Sequence, residues 1–298
     1  MCRAGALGKS GSLRRMRERG ITRAMTKRAR FARIALALSI AMILWFAIAM
    51  FGAKLGLWSP ITGFATLTMT PALPMLGLTA LLGAAALVAT LFRAPRTGWV
   101  AALVALAIPA AVFAGLGQLR STAGSVPFIY DVTTNPADAP MFSAALVEER
   151  EAEGANALNP FDAPLGQFDK WKGNAEVADK TGAQLIAEGY PDLAPLAVAA
   201  EPAAALRAVE AAMIARGFDD VTVDEAAGQV EGTAEVFWYS FLDDVVVRVR
   251  AGEQGGSVID VRSTSRVGTS DLGVNAQRIA DLLQGVKERL AEGEAEAG

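Results

Sequence analysis

Apolar residues are concentrated in one part of the chain, between residues 34 and 120. Three runs there carry no charge, at about 34–53, 74–92 and 97–119. A helix of about 20 apolar residues crosses the ~30 Å of hydrocarbon in a bilayer. The first run is longer than the ~7–15 residue core of a cleaved signal peptide. The pattern therefore predicts three transmembrane helices.

The segment between the first two runs is also uncharged from Leu55, but prolines interrupt it. These prolines are Pro60, Pro71 and Pro74. Because proline lacks an amide hydrogen and breaks helices, we expect 54–73 to be a loop. Small residues in the later runs, such as Gly83 and Ala105, would let the helices approach closely.

The pattern changes to a mixed helix and strand period after residue 200. It predicts a helix from Pro202 to about Gly217 and a final helix from 271 to about 291, followed by a frayed tail from about 292. Between them it predicts strands at 220–225, 229–241, 244–250 and 257–266. The links between strands are short, which indicates an antiparallel meander. Residues 121–298 are thus predicted to form a soluble α+β domain, a four-stranded antiparallel meander flanked by two helices on one face.

Charge is distributed as unevenly as hydrophobicity. Residues 1–33 contain eleven Lys or Arg and one acidic residue, whereas 121–298 contain 13 basic and 30 acidic residues. A basic segment beside apolar helices stays in the cytoplasm and is attracted to anionic lipids. We predict a cytoplasmic basic arm, a multi-pass protein of the plasma (inner) membrane, and an exterior or periplasmic C-terminal domain. The true start is left open among Met1, Met16 and Met25.

The absence of some residue types excludes whole classes of chemistry. The chain has no histidine, and Cys2 is its single cysteine. Triads that use histidine, His/Cys zinc sites and internal disulfides are therefore excluded. We predict no catalytic residue, no metal and no cofactor. The acidic domain also argues against nucleic acid as a partner. The acidic pairs Asp219/Asp220 and Asp243/Asp244 begin strands and are interpreted as turn residues.

Two adjacent strands place arginines on one face of the predicted sheet. Alternation puts Arg248 and Arg250 on the same side as Arg262 and Arg266, with Asp260 among them. Guanidinium groups close together suit carboxylate or phosphate binding. The alternative is a solvated face of weak ion pairs. The predicted binding residues are Arg248, Arg262, Ser263, Ser265 and Arg266.

The residues after the last strand are interpreted as a structural turn. Gly268 makes the turn, Ser270 caps the final helix, and Asp271 lies favourably in its first turn. Asn275 and Arg278 follow in the helix and are expected to bond back towards the turn. The pattern departs from G-x-S-x-G, and no histidine is present to activate a serine.

An aromatic-rich strand is predicted at 229–241. Phe237, Tyr239 and Phe241 share one face and are expected in the core, with Trp238 on the other. A hydrophobic pocket between the sheet and the helices would fit this arrangement.

Four ordered motifs carry a resemblance to a known family. They are IYDVTTNPADAP (129–140), GYPDLAPL (189–196), FLDDVVVRV (241–249) and DVRSTSRVGTSDLGVNAQRI (260–279). Together they resemble the bacterial family called domain of unknown function 1499, over about 126–290. The resemblance implies that the first two motifs belong to the same folded unit. Family members often have a histidine where this chain has Tyr130, and the family implies no activity.

These observations favour a non-enzymatic integral membrane protein. Its exterior domain is expected to bind an envelope partner, which is a protein, a lipid or a cell-wall component. The alternatives are a histidine-free envelope hydrolase that uses carboxylates and arginines, and a helix-and-sheet grip on an apolar ligand.

Overall fold

The computed structural model describes residues 25–92 and 94–297. The chain forms two compact units. Among the described residues, the first unit comprises 25–45 together with 71–92 and 94–114, and the second comprises 46–70 together with 115–297. Residues 1–24 of the predicted arm lie outside the described residues.

Three long apolar helices account for most of the first unit and extend beyond it. They are α1 (Lys27–Lys54), α2 (Thr70–Leu91) and α3 (Trp99–Ala123). Each is, or lies within, a helix that is long and apolar enough to cross a membrane, as predicted; for α2 this helix runs from Thr62 to Leu91. Each also includes residues outside its predicted run, and α1 includes the last seven residues of the predicted arm.

Small residues allow these helices to pack closely within the first unit. The Ser39 hydroxyl donates a hydrogen bond to the Ala105 carbonyl over 2.8 Å. A Cβ on Gly83 would lie 2.8 Å from the amide nitrogen of Leu106, closer than real Cβ contacts allow. The sequence-based expectation of close approach at Gly83 and Ala105 is therefore confirmed.

The predicted loop at 54–73 is mostly helical, so that prediction is wrong from residue 60 onwards. A π-helical segment, Thr62–Met69, leads directly into α2. The hydroxyls of Thr68 and Thr70 donate to the carbonyls of Gly63 and Ala65 over 2.9 and 3.0 Å. Each hydroxyl bonds to the carbonyl five residues earlier, and the wider π turn likewise pairs the Thr70 amide with the Ala65 carbonyl.

The C-terminal domain is a mixed α+β structure with an antiparallel sheet, as predicted. Its helices are α4 (Ala144–Ala152), α5 (Gly182–Gly189), α6 (Pro202–Ala215) and α7 (Val274–Ala297), with a 3-10 turn at Leu165–Gln167. Its strands are β1 (Asp131–Thr133), β2 (Leu196–Val198), β3 (Asp219–Asp224), β4 (Gln229–Glu235), β5 (Leu242–Ala251) and β6 (Ser257–Ser265).

The sheet of the described residues has six strands rather than the four predicted. The predicted meander forms β3 to β6, and the strand order is β1-β6-β5-β4-β3. Strands β1 and β2 both pair antiparallel with the outer side of β6, against its two ends. The pairing of β5 with β6 sets Arg248 opposite Asp260 and Val246 opposite Arg262, which places the arginines and Asp260 on one face, as predicted.

The aromatic residues predicted in the core lie instead in the β4–β5 turn, residues 236–241. Strand β4 ends at Glu235, well before the predicted end at 241. Tyr239 and Ser240 have φ values of +62° and +57°, in the left-handed region that a strand does not contain. Backbone conformation therefore overrides the strand propensity of these side chains.

Helices α6 and α7 cover one face of the sheet and form the core with it. The buried core includes Val209, Met213, Val245, Val247, Ile259, Val261, Ile279 and Leu283. Helix α7 begins at Val274 rather than 271 and continues to Ala297, through the tail predicted to be frayed. The opposite face is covered in part by α4 and by the segment before it. This cover buries the arginines Arg262 and Arg266.

Candidate functional site

Arg262 is buried on the sheet face opposite α6 and α7. Its side chain is 3% exposed and forms a two-point ion pair with Asp131 of β1, over 3.0 and 2.7 Å. The guanidinium lies 5.7 Å from the ring centre of Phe142 and 5.0 Å from that of Phe161. Strand β1 thus supplies a carboxylate that the sequence pattern did not reveal.

Arg266 is the second buried arginine and shares Asp244 with Arg150. Arg266 donates to Asp244 from Nε to Oδ2 over 3.0 Å and from Nη2 to Oδ1 over 2.8 Å. Arg150 donates from Nη1 to Oδ2 of the same carboxylate. Glu149 and Glu153 lie 2.8 and 2.6 Å from Nη1 of Arg266. Burial opposes the charged form, but the bonds to these acids prevail and raise the pKa of Arg266 above its ordinary value.

Arg248 lies at the more open end of the same face. It donates to Asp260 over 3.0 Å and to Asp138 over 2.9 Å, and Arg250 also bonds to Asp260, over 2.6 Å. Asp260 is fully buried, whereas Asp138 is largely exposed. The hydrogen bond from Arg248 is the main reason why the pKa of Asp138 lies below its ordinary value.

The structure therefore brings the predicted arginines together but pairs each with a carboxylate. We call this set the arginine network: Arg150, Arg248, Arg250, Arg262 and Arg266 with Asp131, Asp138, Asp244 and Asp260. Removing one partner of a buried ion pair strongly destabilises the folded protein, because the other charge stays buried without compensation. The carboxylate partners of these arginines support a structural role. Ligand binding by Arg248, Arg262 and Arg266 stays a prediction.

Ser263 and Ser265 point to the other face and bond to α7. Ser263 donates to Asn275 Oδ1 over 2.6 Å, and Asn275 Nδ2 donates to Ser265 over 3.0 Å. Arg278 donates to Ser263 over 3.1 Å and to Asp243 over 2.6 Å. These side chains connect the start of α7 to the sheet, and both serine hydroxyls are held within this arrangement.

Gly268 makes the turn after β6, as the sequence indicates. It has a φ of +100°, a region that favours glycine. Its carbonyl accepts hydrogen bonds from the Asn156 side chain over 2.8 Å and from Lys170 over 3.3 Å. The turn is therefore tied to the segment that follows α4.

Asp271, not Ser270, caps the final helix. The Asp271 carboxylate accepts hydrogen bonds from the amides of Gly273 and Asn275 over 3.0 and 2.8 Å. Ser270 accepts only from the Leu272 amide, over 3.3 Å, in the turn itself. Because Leu272 and Gly273 have φ values of +56° and +85°, the helix cannot begin at residue 271; it begins at Val274, and the Asp271 side chain caps it from three residues before.

An open cleft of about 900 Å³ lies beside this turn. The GYPDL segment, the end of α6 and the first turns of α7 form its walls. Its lining includes Tyr190, Arg216, Glu235, Leu272, Gln277 and Arg278. We call this feature the cleft.

Two titratable groups with raised pKa values lie at or next to the cleft: Tyr190 is part of its lining, and Asp271 directly precedes the lining residue Leu272. The Tyr190 hydroxyl is buried and has no hydrogen-bond partner among the described residues. Burial, with the nearby charge of Asp271, raises the pKa of Tyr190 above its ordinary value. Burial also raises the pKa of Asp271 to about 6, against the opposing effect of its bonds to backbone amides. A perturbed group in the lining of a concave surface, as Tyr190 is here, indicates a functional site.

The sequence missed several residues of these arrangements. Asp243 and Asp244 were interpreted as turn residues, but both are buried in β5 and ion-paired. Asp131 and Tyr190 each lie in one of the four motifs that resemble the family. Membership in a motif is the one sequence signal that could have pointed to them. In the part of the chain that the structure describes, no group of three His, Cys, Asp or Glu residues is placed to hold a metal ion.

The fold and these sites define a class of protein: an α+β domain with an antiparallel sheet, attached to three helices that are apolar enough to cross a membrane. The family model described as Protein of unknown function (DUF1499) matches residues 131–286, from β1 into α7. The match covers more than half of the chain, which therefore belongs to this family. No curated protein and no solved structure shows significant similarity to the chain.

Proposed function

We propose that this protein is a membrane-anchored, non-enzymatic binding protein whose C-terminal domain faces the exterior or periplasm. The domain binds an envelope partner in the cleft. This partner is a protein, a lipid or a cell-wall component. The three apolar helices hold the domain at the membrane, and the basic arm holds the N-terminus in the cytoplasm.

The cleft is the observation that carries this proposal. Its volume of about 900 Å³ is within the range of small-molecule and cofactor sites. The unpartnered hydroxyl of Tyr190 offers a donor beside the apolar side chain of Leu272. A buried hydroxyl without a partner is costly, and a ligand acceptor would satisfy it.

The arrangement of the serines and carboxylates favours binding over catalysis. Ser263 is bonded to Asn275 and Arg278, and no histidine exists to activate it. The alternative hydrolase would need carboxylates free to act on a substrate, yet Asp131 and Asp244 are held by buried arginines. The apolar grip is also disfavoured, because the aromatic residues that it requires lie in the β4–β5 turn.

A photoreactive residue placed at Gln277 tests the proposal in intact membranes. Gln277 is exposed, lines the cleft and bonds to Asp281 over 2.9 Å. We expect a discrete adduct with an envelope component. Protease, solvent extraction and cell-wall hydrolase would then distinguish protein, lipid and wall material.

Gln284 provides a matched control on the same helix. It is exposed and bonds to Glu288, also over 2.9 Å, but it does not line the cleft. A photoreactive residue at 284 should give no such adduct. If both positions give the same adducts, or neither gives any, the cleft is not the binding site.

A further inference from the structure

The β4–β5 turn exposes two large aromatic side chains next to each other. Phe237 and Trp238 are 59% and 61% exposed. Their rings meet edge to face, 5.1 Å apart. An exposed pair of this size is costly in water and indicates a surface that contacts something else.

The turn is fixed to the end of α1 by Lys54, within the second unit. Lys54 bonds to Glu235 over 3.0 Å and to the carbonyl of Phe237 over 3.2 Å. Its ammonium group also lies 4.8 Å from the centre of the Phe237 ring. Two contacts to Phe237 and one to Glu235, the last residue of β4, therefore hold Lys54 against the turn.

The π-helical segment holds the other half of the turn. The Tyr239 hydroxyl donates to Thr68 over 2.7 Å. The Phe64 ring meets those of Tyr239 and Phe241 edge to face, at 5.5 and 5.9 Å. The turn therefore packs on the first residues of the second helix that is apolar enough to span a membrane, Thr62–Leu91.

Lys54 determines the depth of the turn relative to a bilayer. It is the last residue of α1, and residues 34–53 before it carry no charge. Lysine at the end of a spanning helix places its ammonium group among the lipid headgroups. Side chains in contact with that ammonium group lie at the same level, where tryptophan and other aromatic residues are favoured.

We propose that the β4–β5 turn is a membrane-interface anchor, with Phe237 and Trp238 inserted between the lipid headgroups of the bilayer that α1 crosses. The anchor rests on the membrane attachment in the proposed function and is independent of the cleft. It fixes one end of the sheet to the membrane surface.

An environment-sensitive fluorophore on a single cysteine tests the anchor in the reconstituted full chain. The label is attached to Trp238→Cys in a Cys2→Ser background, in phosphatidylethanolamine–phosphatidylglycerol vesicles. We expect a blue-shifted emission and severalfold stronger quenching by headgroup nitroxide than by a nitroxide at the end of the acyl chain.

Two further label positions separate the outcomes. Ala226→Cys lies in the turn at the opposite end of β4, roughly 24 Å away for seven residues at ~3.4 Å each, and should stay in water. Leu81→Cys lies on an exposed part of α2 and should be quenched within the acyl region. If Leu81→Cys is not quenched, membrane attachment itself fails.

If Leu81→Cys is quenched but Trp238→Cys is as accessible as Ala226→Cys, the anchor is overturned. Protection of position 238 in native membranes but not in pure lipid also overturns it, because the aromatic pair then binds a protein. Trp238→Phe is the second variant. It should remove a component of the intrinsic fluorescence that brominated lipids quench, and unchanged quenching contradicts the proposal.

Discussion

Asp244 is a fully buried carboxylate that two arginines share. Arg150 and Arg266 both bond to it, and its side chain is 0% exposed. Asp244→Asn would leave two guanidinium groups buried with insufficient negative charge. We expect a loss of about 3–5 kcal/mol in the free energy of unfolding. Pulse proteolysis of the detergent-solubilised full chain over a denaturant series measures it.

Asp138→Asn is the matched control for that substitution. Asp138 also pairs with an arginine, Arg248, but its side chain is 61% exposed. Water therefore replaces the lost ion pair, and the stability should change little. Equal losses in Asp138→Asn and Asp244→Asn would contradict the structural role of the arginine network.

Asp271 makes stability depend on pH. Its pKa in the folded protein is about 6, above the ordinary value of 3.8. The folded state therefore binds more protons than the unfolded state between these values. Stability from the neutral carboxyl is fully present below about pH 4 and is lost as the pH rises through about 6, at a cost of roughly 3 kcal/mol.

Asp271→Asn keeps an oxygen for only one of the two amides that the carboxylate accepts, Gly273 at Oδ1 and Asn275 at Oδ2, which costs stability equally at every pH, and it removes the titration. The variant should therefore gain thermal stability relative to the natural chain as the pH is raised from about 4 to about 7. Melting midpoints of both chains across this range provide the measurement. A constant difference between the two would show that Asp271 does not titrate in this range.

Sequence reasoning at this scale found the faces of the side chains but not their partners. Alternation placed Arg248, Asp260 and Arg262 on one face, and the register of β5 and β6 confirms it. Asp131, which pairs with Arg262, is distant in sequence and lies on a strand of three residues. Local pattern cannot reveal such a partner, because folding alone brings the two together.

Strands β1 and β2 show why short elements escape prediction. Each has three residues, which is too few for an alternating pattern to be distinguished from a loop. The opposite error occurred at β4, where aromatic and β-branched residues continue past the true end of the strand. The strand ends because Tyr239 and Ser240 have left-handed φ values. The strand propensities of these residues do not predict such values.

The pairing of β2 with β6 can be tested at two neighbouring glycines. A Cβ on Gly256 would fall on the Val198 carbonyl of β2, whereas one on Gly255 would meet nothing within 4 Å. Both have positive φ, +68° and +92°, so both alanine variants carry backbone strain. We expect Gly256→Ala to lose about 1–3 kcal/mol more than Gly255→Ala.

Denaturant series on the two glycine variants give this difference directly. Because the two positions share their turn and their sign of φ, backbone strain largely cancels. Equal losses would mean that β2 does not lie against Gly256.

At the scale of the whole molecule, composition predicted the division into a basic arm, apolar helices and an acidic domain. It did not predict that residues 46–70 belong to the same compact unit as the C-terminal domain. Their contacts with the β4–β5 turn depend on Lys54, Phe64 and Thr68. Those contacts join distant parts of the chain and leave no local signature.

The central claim is a domain held on the outer side of a membrane by three helices. Labelling of spheroplasts with a membrane-impermeant maleimide tests it most directly, in a Cys2→Ser background. Gln254→Cys, in the exposed β5–β6 turn, should react in intact spheroplasts. Ala94→Cys, between α2 and α3, should react only after lysis. Labelling of Ala94→Cys but not Gln254→Cys before lysis would contradict the account.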